Sequence, residues 1–392
     1  MDFIPYPTRR TPFHPPAEYA ALRQGPPVRV TLAGGASHWL VSRYEDVREV
    51  LAGPSFSADD QHPNYARLLP LPTPPGMLSF LRMDDPEHNR QRRMLTSEFT
   101  VRRVNAMRPG IQQITDRLLD ELAEHGPPAD LIERFALPLP SLVICQLLGV
   151  PYEDHDFFQV NSHDAISTAV TPERAGEAMG ALAEYMDRLT AEKERNPGDD
   201  LLSRVAAAQV ATGRLDHDEL VSMARLLLLA GHETTANMLG LGTLLLLRHP
   251  DQLAALRADP SLVRPAVEEL LRHTSIVHEG LSRVATEEVV LGGVTIPAGD
   301  AVIINIPSAN RDERRFADPD TFDIGRGDRH HIAFGFGAHQ CIGQTLARVE
   351  MEIAFTAMLE RFPGLALACD VEEIPFRYES VVYGVGALPV TW

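Results

Sequence analysis

The sequence predicts an α-rich α+β fold, and three observations carry that prediction. Apolar residues recur at helical spacing from about Tyr44 to Pro250. Short β patterns stand apart from this stretch, towards the two ends of the chain. One helical pattern is long enough, at about 1.5 Å per residue, to cross a whole molecule.

The elements follow in order. Val28–Leu32 and His38–Val41 flank Ala33-Gly34-Gly35-Ala36 and read as a hairpin. Glu98–Ala123 has the apolar spacing of an amphipathic helix, and Leu139–Gly149 that of a buried helix stopping at its glycine. The longest helix should begin at Asp216, where Asp216-x-x-Glu219 forms a capping-box pattern, and end before Pro250. Its middle is apolar all round, which places it centrally. A second β patch is expected at Val289–Leu291, Val294–Ile296 and Ala301–Ile304, with final strands near Ser380–Tyr383 and Leu388–Thr391. Length alone suggests two or three domains. However, no Gly/Ser run, charge run or repeat divides the 392 residues, so 1–392 reads as one domain.

Composition narrows the function. A formal net charge of −18 argues against nucleic-acid binding. Cys145, Cys341 and Cys369 are too few and too scattered for a disulfide framework and fit a reducing compartment. The first residues lack an apolar signal core. The most apolar stretch, Leu220 to Leu247, contains Arg225, His232 and Glu233, which a membrane span rarely accepts. A cytoplasmic protein without a membrane anchor is expected.

The most informative segment is Phe334-Gly335-Phe336-Gly337-Ala338-His339-Gln340-Cys341-Ile342-Gly343. Glycines around one cysteine let the backbone turn tightly and approach something closely. A bound metal would hold the sulfur as thiolate. Taken singly, a cysteine is most often a small core residue, the role assigned to Cys145 and Cys369. Zinc could use His339 and Cys341 with His330 or His331, but no second ligand pair follows. A dinucleotide fingerprint fails because Gln340 stands where its third glycine belongs. The string resembles the heme-binding signature of the cytochrome P450 family, with Phe334, Gly335, Gly337, His339, Cys341 and Gly343 at every fixed position. That resemblance implies iron protoporphyrin IX (heme b) with Cys341 as axial thiolate and His339 as partner of a propionate.

Three further motifs fall in the family's order. Ala230-Gly231-His232-Glu233-Thr234-Thr235 lies inside the long helix. Its glycine costs about 1 kcal/mol against alanine, so by itself it reads as a weakened turn. The resemblance implies that Glu233 and Thr234 are the acid and alcohol relaying protons during dioxygen activation, while Ala230 and Gly231 make room for dioxygen. Aspartate is commoner than glutamate at the acid position. Glu269-Leu270-Leu271-Arg272 alone is an ordinary ion pair on a helix face. In the family it is buried and joined by an arginine, here Arg326, and supports folding. His88 and Arg92, four apart, could be a solvated basic face. The family's propionate pattern falls on His88 and Arg92, with Arg283 and His339 completing the set. Arginine forks suit such carboxylates.

The resemblance implies a heme-thiolate monooxygenase that uses O2 on an apolar small molecule. It is most similar to bacterial enzymes that tailor polyketide, macrolide, terpenoid or peptide natural products, or that oxidise xenobiotics. The length leaves no room for a fused flavin reductase. Ferredoxin and ferredoxin reductase are therefore expected as separate partners of a monomer. A peroxide-driven peroxygenase and a thiolate-heme sensor or carrier are the rivals. An apolar pocket lining is expected from Met77, Leu78, Phe80, Leu81, Leu229, Ile276, Val277 and Val381. Between His88 and Arg108, Arg90, Arg92, Arg93, Arg102, Arg103 and Arg108 face one acid, Glu98, which predicts a basic patch for an acidic ferredoxin.

Overall fold

The computed structural model describes residues 4–32, 35–67, 79–166, 170–279, 281–378 and 380–392. The tip of the expected hairpin (Ala33, Gly34) and the expected pocket residues Met77 and Leu78 lie outside them.

Helices dominate. Those that build the site are α1 (Tyr44–Ala52), α2 (Glu87–Thr96), α3 (Val101–His125), α4 (Pro138–Leu148), α5 (Pro172–Arg195), α6 (His217–Leu247), α7 (Val263–Thr274) and α8 (Gln344–Arg361). The start of α6 follows from its capping box. Asp216 Oδ1 accepts from the Glu219 amide at 2.8 Å, and Glu219 Oε2 accepts from the Asp216 amide at 3.1 Å. Two otherwise orphaned donors are thereby satisfied. α4 stops at Gly149, which takes a left-handed conformation at φ 73°. The C-terminal half of α6 is buried from Thr235 to Leu246. It belongs to one large apolar core with α3, α4, α7 and α8.

The strands are β1 (Ile4–Pro5), β2 (Val28–Thr31), β3 (Ser37–Val41), β4 (Phe56–Ser57), β5 (Ala129–Asp130), β6 (Ser282–Ala285), β7 (Val289–Leu291), β8 (Val294–Ile296), β9 (Ala301–Ile304), β10 (Ala366–Leu367) and β11 (Pro389–Thr391). The principal sheet runs β1-β2-β3-β9-β6-β4. This corrects the expected second patch. Only β7 and β8 pair there, whereas β9 lies parallel to β3 with Leu40 opposite Ile303. β9 is apolar on both faces and can be satisfied only inside a larger sheet. Of the two expected final strands, β11 forms between β10 and β5. Ser380–Tyr383 contributes just one bridge, Val277 to Val382.

Candidate functional site

The cysteine loop is held by its own backbone. The Cys341 amide donates to the Phe334 carbonyl at 2.9 Å, and that of Gly335 to Ile332 at 2.9 Å. Gly337 has φ 75°, and a side chain there would meet the Leu51 carbonyl at 2.6 Å. Only glycine fits against the end of α1. The loop then runs through Gly343 into α8. The Cys341 side chain is accessible, yet burial among protein atoms raises its thiol pKa. The Gly343 amide, the guanidinium groups of Arg92 and Arg348 and the Gln344 amide oppose that rise. An accessible group that is also desolvated faces an internal space, and donors already aimed at it suit a thiolate. Cys145, by contrast, is buried and its thiol is pushed up to about 12, as a core residue requires. Zinc loses support. His331 is committed to Glu268 at 2.9 Å and His330 to Asp328 at 2.9 Å. Among the described residues, no three potential ligands converge.

Beside the loop, the structure gathers His88, Arg92, Arg283 and His339 from α2, β6 and the loop. The His88 and His339 rings lie 4.0 Å apart. Burial drives the His339 pKa down to about 3, helped by Arg283, His88, Arg92 and Arg82. Burial also lowers Arg283 to about 10 and depresses His88. His88 Nε2 and His339 Nδ1 are buried without a hydrogen-bond partner. Arg283 Nη1 reaches only its neighbour's carbonyl, at Ser282, and Arg92 donates to the Gln340 carbonyl. Unpartnered ring nitrogens beside two guanidinium groups that reach only carbonyls suit an anion. A heme would bring two carboxylates to these groups and an iron for the Cys341 sulfur, so the residues present fit the cofactor.

The acid and the alcohol sit on α6 but point apart. Thr234 Oγ1 donates to the Ala230 carbonyl at 2.8 Å. Ala230 is exposed in mid-helix between buried Leu228 and His232, so this side of α6 borders open space inside the fold. Glu233 is buried, with Oε1 accepting from Arg377 Nη1 at 3.0 Å. Burial raises its pKa to about 7, against the pull of Arg377 and Asn237. Gly231 has a packing reason as well, since a Cβ there would come within 2.9 Å of Ile144 on α4.

The sequence pattern described as Cytochrome P450 matches residues 9–375. The chain is 51% identical to Cytochrome P450-SU2 of Streptomyces griseolus, covering 100% of this chain and 98% of the relative. It is 48% identical to pentalenic acid synthase of Streptomyces avermitilis, covering 99% and 97%. A solved structure of CYP105P1 in complex with filipin I superposes at a TM-score of 0.95, with 45% identity and coverage of 100% and 99%. The chain belongs to the cytochrome P450 family. It is a heme-thiolate monooxygenase, with the P450 fold expected from the sequence.

The P450 also joins Glu269, Arg272 and Arg326. Glu269 accepts from Arg272 at 2.8 Å through both oxygens, and Arg326 Nε lies 3.2 Å from Oε2. Arg272 further donates to the carbonyls of Asn310 and Pro319. It thus ties α7 to the segment leading into the cysteine loop. Three of the six arginines between His88 and Arg108 pair with acids. Arg90 pairs with Glu219, Arg103 with Glu98 at 3.1 Å, and Arg108 with Glu352 at 2.8 Å. Arg93 and Arg102 remain exposed. Sequence reasoning missed Arg82, Arg348 and Arg377. No motif marks the first or the last. Arg348, seven residues past Cys341, stacks on the Phe334 ring at 4.5 Å and is held by Glu268 at 2.8 Å.

Proposed function

We propose that residues 1–392 form one heme domain that hydroxylates or epoxidises an apolar polyketide, macrolide, terpenoid or peptide natural product. The observation that carries this reading is the accessible Cys341 sulfur beside the unpartnered ring nitrogens of His88 and His339 and the guanidinium groups of Arg92 and Arg283. Heme b matches it chemically, with one iron for the thiolate and two propionates for Arg92, Arg283, His88 and His339. When bound, that group supplies dioxygen activation with two externally delivered electrons. Cys341 is held for the iron by the loop backbone, and the cations orient the propionates. Phe334 packs the loop against Arg348. Ala230 leaves space on α6, Thr234 offers a hydroxyl beside that space, and Glu233 supplies the proton.

The natural-product class is supported by the relatives named for pentalenic acid and solved with filipin I. Leu81, Leu229 and Val277 are half-buried apolar residues suited to such a pocket, whereas Phe80 and Ile276 are nearly closed in the core. Electrons are assigned to a separate ferredoxin and its reductase, and the protein to the cytoplasm as a monomer. Its sparse, unpaired cysteines suit a reducing compartment. No helix among the described residues is long and apolar enough to cross a membrane.

The test is a natural-product library titrated against the heme-loaded protein, following the Soret spin-state shift. Turnover of the hits follows, with reduced ferredoxin under isotopically labelled dioxygen. One labelled oxygen atom in the product is expected. Turnover with hydrogen peroxide and none with ferredoxin would instead mark a peroxygenase.

A further inference from the structure

We propose that Arg377 is the positioning residue for Glu233, and that the C-terminal turn carrying it couples the contents of the pocket to proton supply at Thr234. This rests on the reading of Glu233 as the proton donor.

Neighbouring residues on a helix do not face the same way. Thr234 turns to the accessible side of α6, while Glu233 turns to Arg377. The acid is therefore held away from the alcohol it must serve. Its second oxygen, Oε2, and Asn237 Nδ2 one turn further on are both buried without a hydrogen-bond partner. They stand four residues apart on one helix face, an acceptor and a donor close enough for Asn237 to pull the Glu233 pKa down. Arg377 covers the carboxylate from outside and is itself partly exposed, at 25% of its side chain. A proton thus reaches Glu233 along the Arg377 side and leaves towards Thr234 when the pair opens. Only O–H bonds break and form, and the carboxylate recovers its proton from water.

The turn has contacts that let the pocket act on this pair. Phe376 bridges to Val385, and the Arg377 amide donates to the Gly384 carbonyl at 2.9 Å. Gly384 packs directly on Asn237, where a Cβ would fall 1.8 Å from Oδ1. On its other edge the turn joins the expected pocket strand, through Val277 to Val382 and the Tyr383 amide to the Ile276 carbonyl at 2.8 Å. A molecule pressing on Val277 or Val381 therefore moves the same ten-residue turn that holds Arg377. The raised Glu233 pKa agrees, because burial dominates and Arg377 opposes it.

Infrared difference spectroscopy on the heme-loaded full chain tests this. The Glu233 carboxyl stretch is identified by its loss in Glu233→Gln and titrated with pH. In Arg377→Gln its midpoint should rise by about one pH unit or more, as expected for losing an adjacent cation. Arg377→Lys should restore it. Filling the pocket with 4-phenylimidazole should shift the band in wild type and not in Arg377→Gln. A midpoint unmoved in Arg377→Gln, or a ligand-induced shift that persists there, overturns the inference. If Glu233→Gln leaves coupling unchanged, with a substrate from the spin-state screen, the donor assignment itself fails.

Discussion

Cys341 and Thr234 carry the sharpest consequences of single side chains. Cys341→Ser removes the sulfur that the Gly343 and Gln344 amides approach and that the charges of Arg92 and Arg348 favour as thiolate. The carbon monoxide complex of the reduced protein should lose its red-shifted Soret band, and monooxygenation should cease. A mutant retaining that band would have another ligand. Thr234→Ala deletes the hydroxyl on the open side of α6 without touching the residues proposed to hold heme. Heme content should stay normal while reducing equivalents go to peroxide rather than product. General-acid assistance typically supplies about 10²–10⁴-fold. Thr235→Ala should couple nearly as well as wild type, because Thr235 is buried in the helix packing. Coupling measured as product per reducing equivalent separates the two. The settings of Cys341 and Thr234 were legible in the sequence because a turn and a helix face depend on local context, while their proposed roles come from resemblance to the family. Arg377 was not, because its meaning comes from Glu233, more than a hundred positions earlier.

Among elements, α2, β6 and the cysteine loop meet where the proposed propionate partners gather. Arg92 and Arg283 bring positive charge there, and burial with that charge keeps His339 neutral. Arg283→Ala should therefore destabilise the heme-loaded protein, by about 3–5 kcal/mol as for a broken buried pair. The heme-free protein should lose nothing or gain. Melting curves of both forms check this, and equal losses in each would mean a merely structural arginine. A second junction, α7 to α8, predicts acid sensitivity. Glu268 is penalised by burial, but His331 and Arg348 outweigh that and hold it at about 2, below the usual 4.5. A depressed carboxylate contributes stability above its unfolded pKa and loses it as pH falls through the folded one. Glu268→Gln should thus be less stable at neutral pH and lose less on going from about pH 5 to pH 2. Urea unfolding across that window gives the measurement, and parallel curves for mutant and wild type would contradict it.

For the whole molecule, charge distribution bears on the redox partner. Of the six arginines between His88 and Arg108, three pair with acids from α6, α8 and the segment before α3, and Arg93 and Arg102 lie outward. Reversing these two to glutamate should slow the first electron transfer from an acidic ferredoxin, leave substrate binding unaltered, and flatten the salt dependence. Stopped-flow reduction at two ionic strengths checks it. A rate indifferent to both would place docking elsewhere. Arg103 is a poor choice for this test, because its removal also opens the Glu98–Arg204 pairing at 2.6 Å.

The sequence by itself determined the α-rich class, the limits of α4 and α6 and the tight turns of the cysteine loop. Each depends on capping, periodicity or glycine turns among near neighbours, where spacing alone dictates geometry. Only the tertiary structure decided that β9 joins β3 across more than 250 residues, that three of the six arginines between His88 and Arg108 pair with acids, and that Glu233 faces Arg377. Strand partners and ion pairs are chosen by what else is buried nearby. A linear pattern carries no record of which distant backbone edge or charge will arrive.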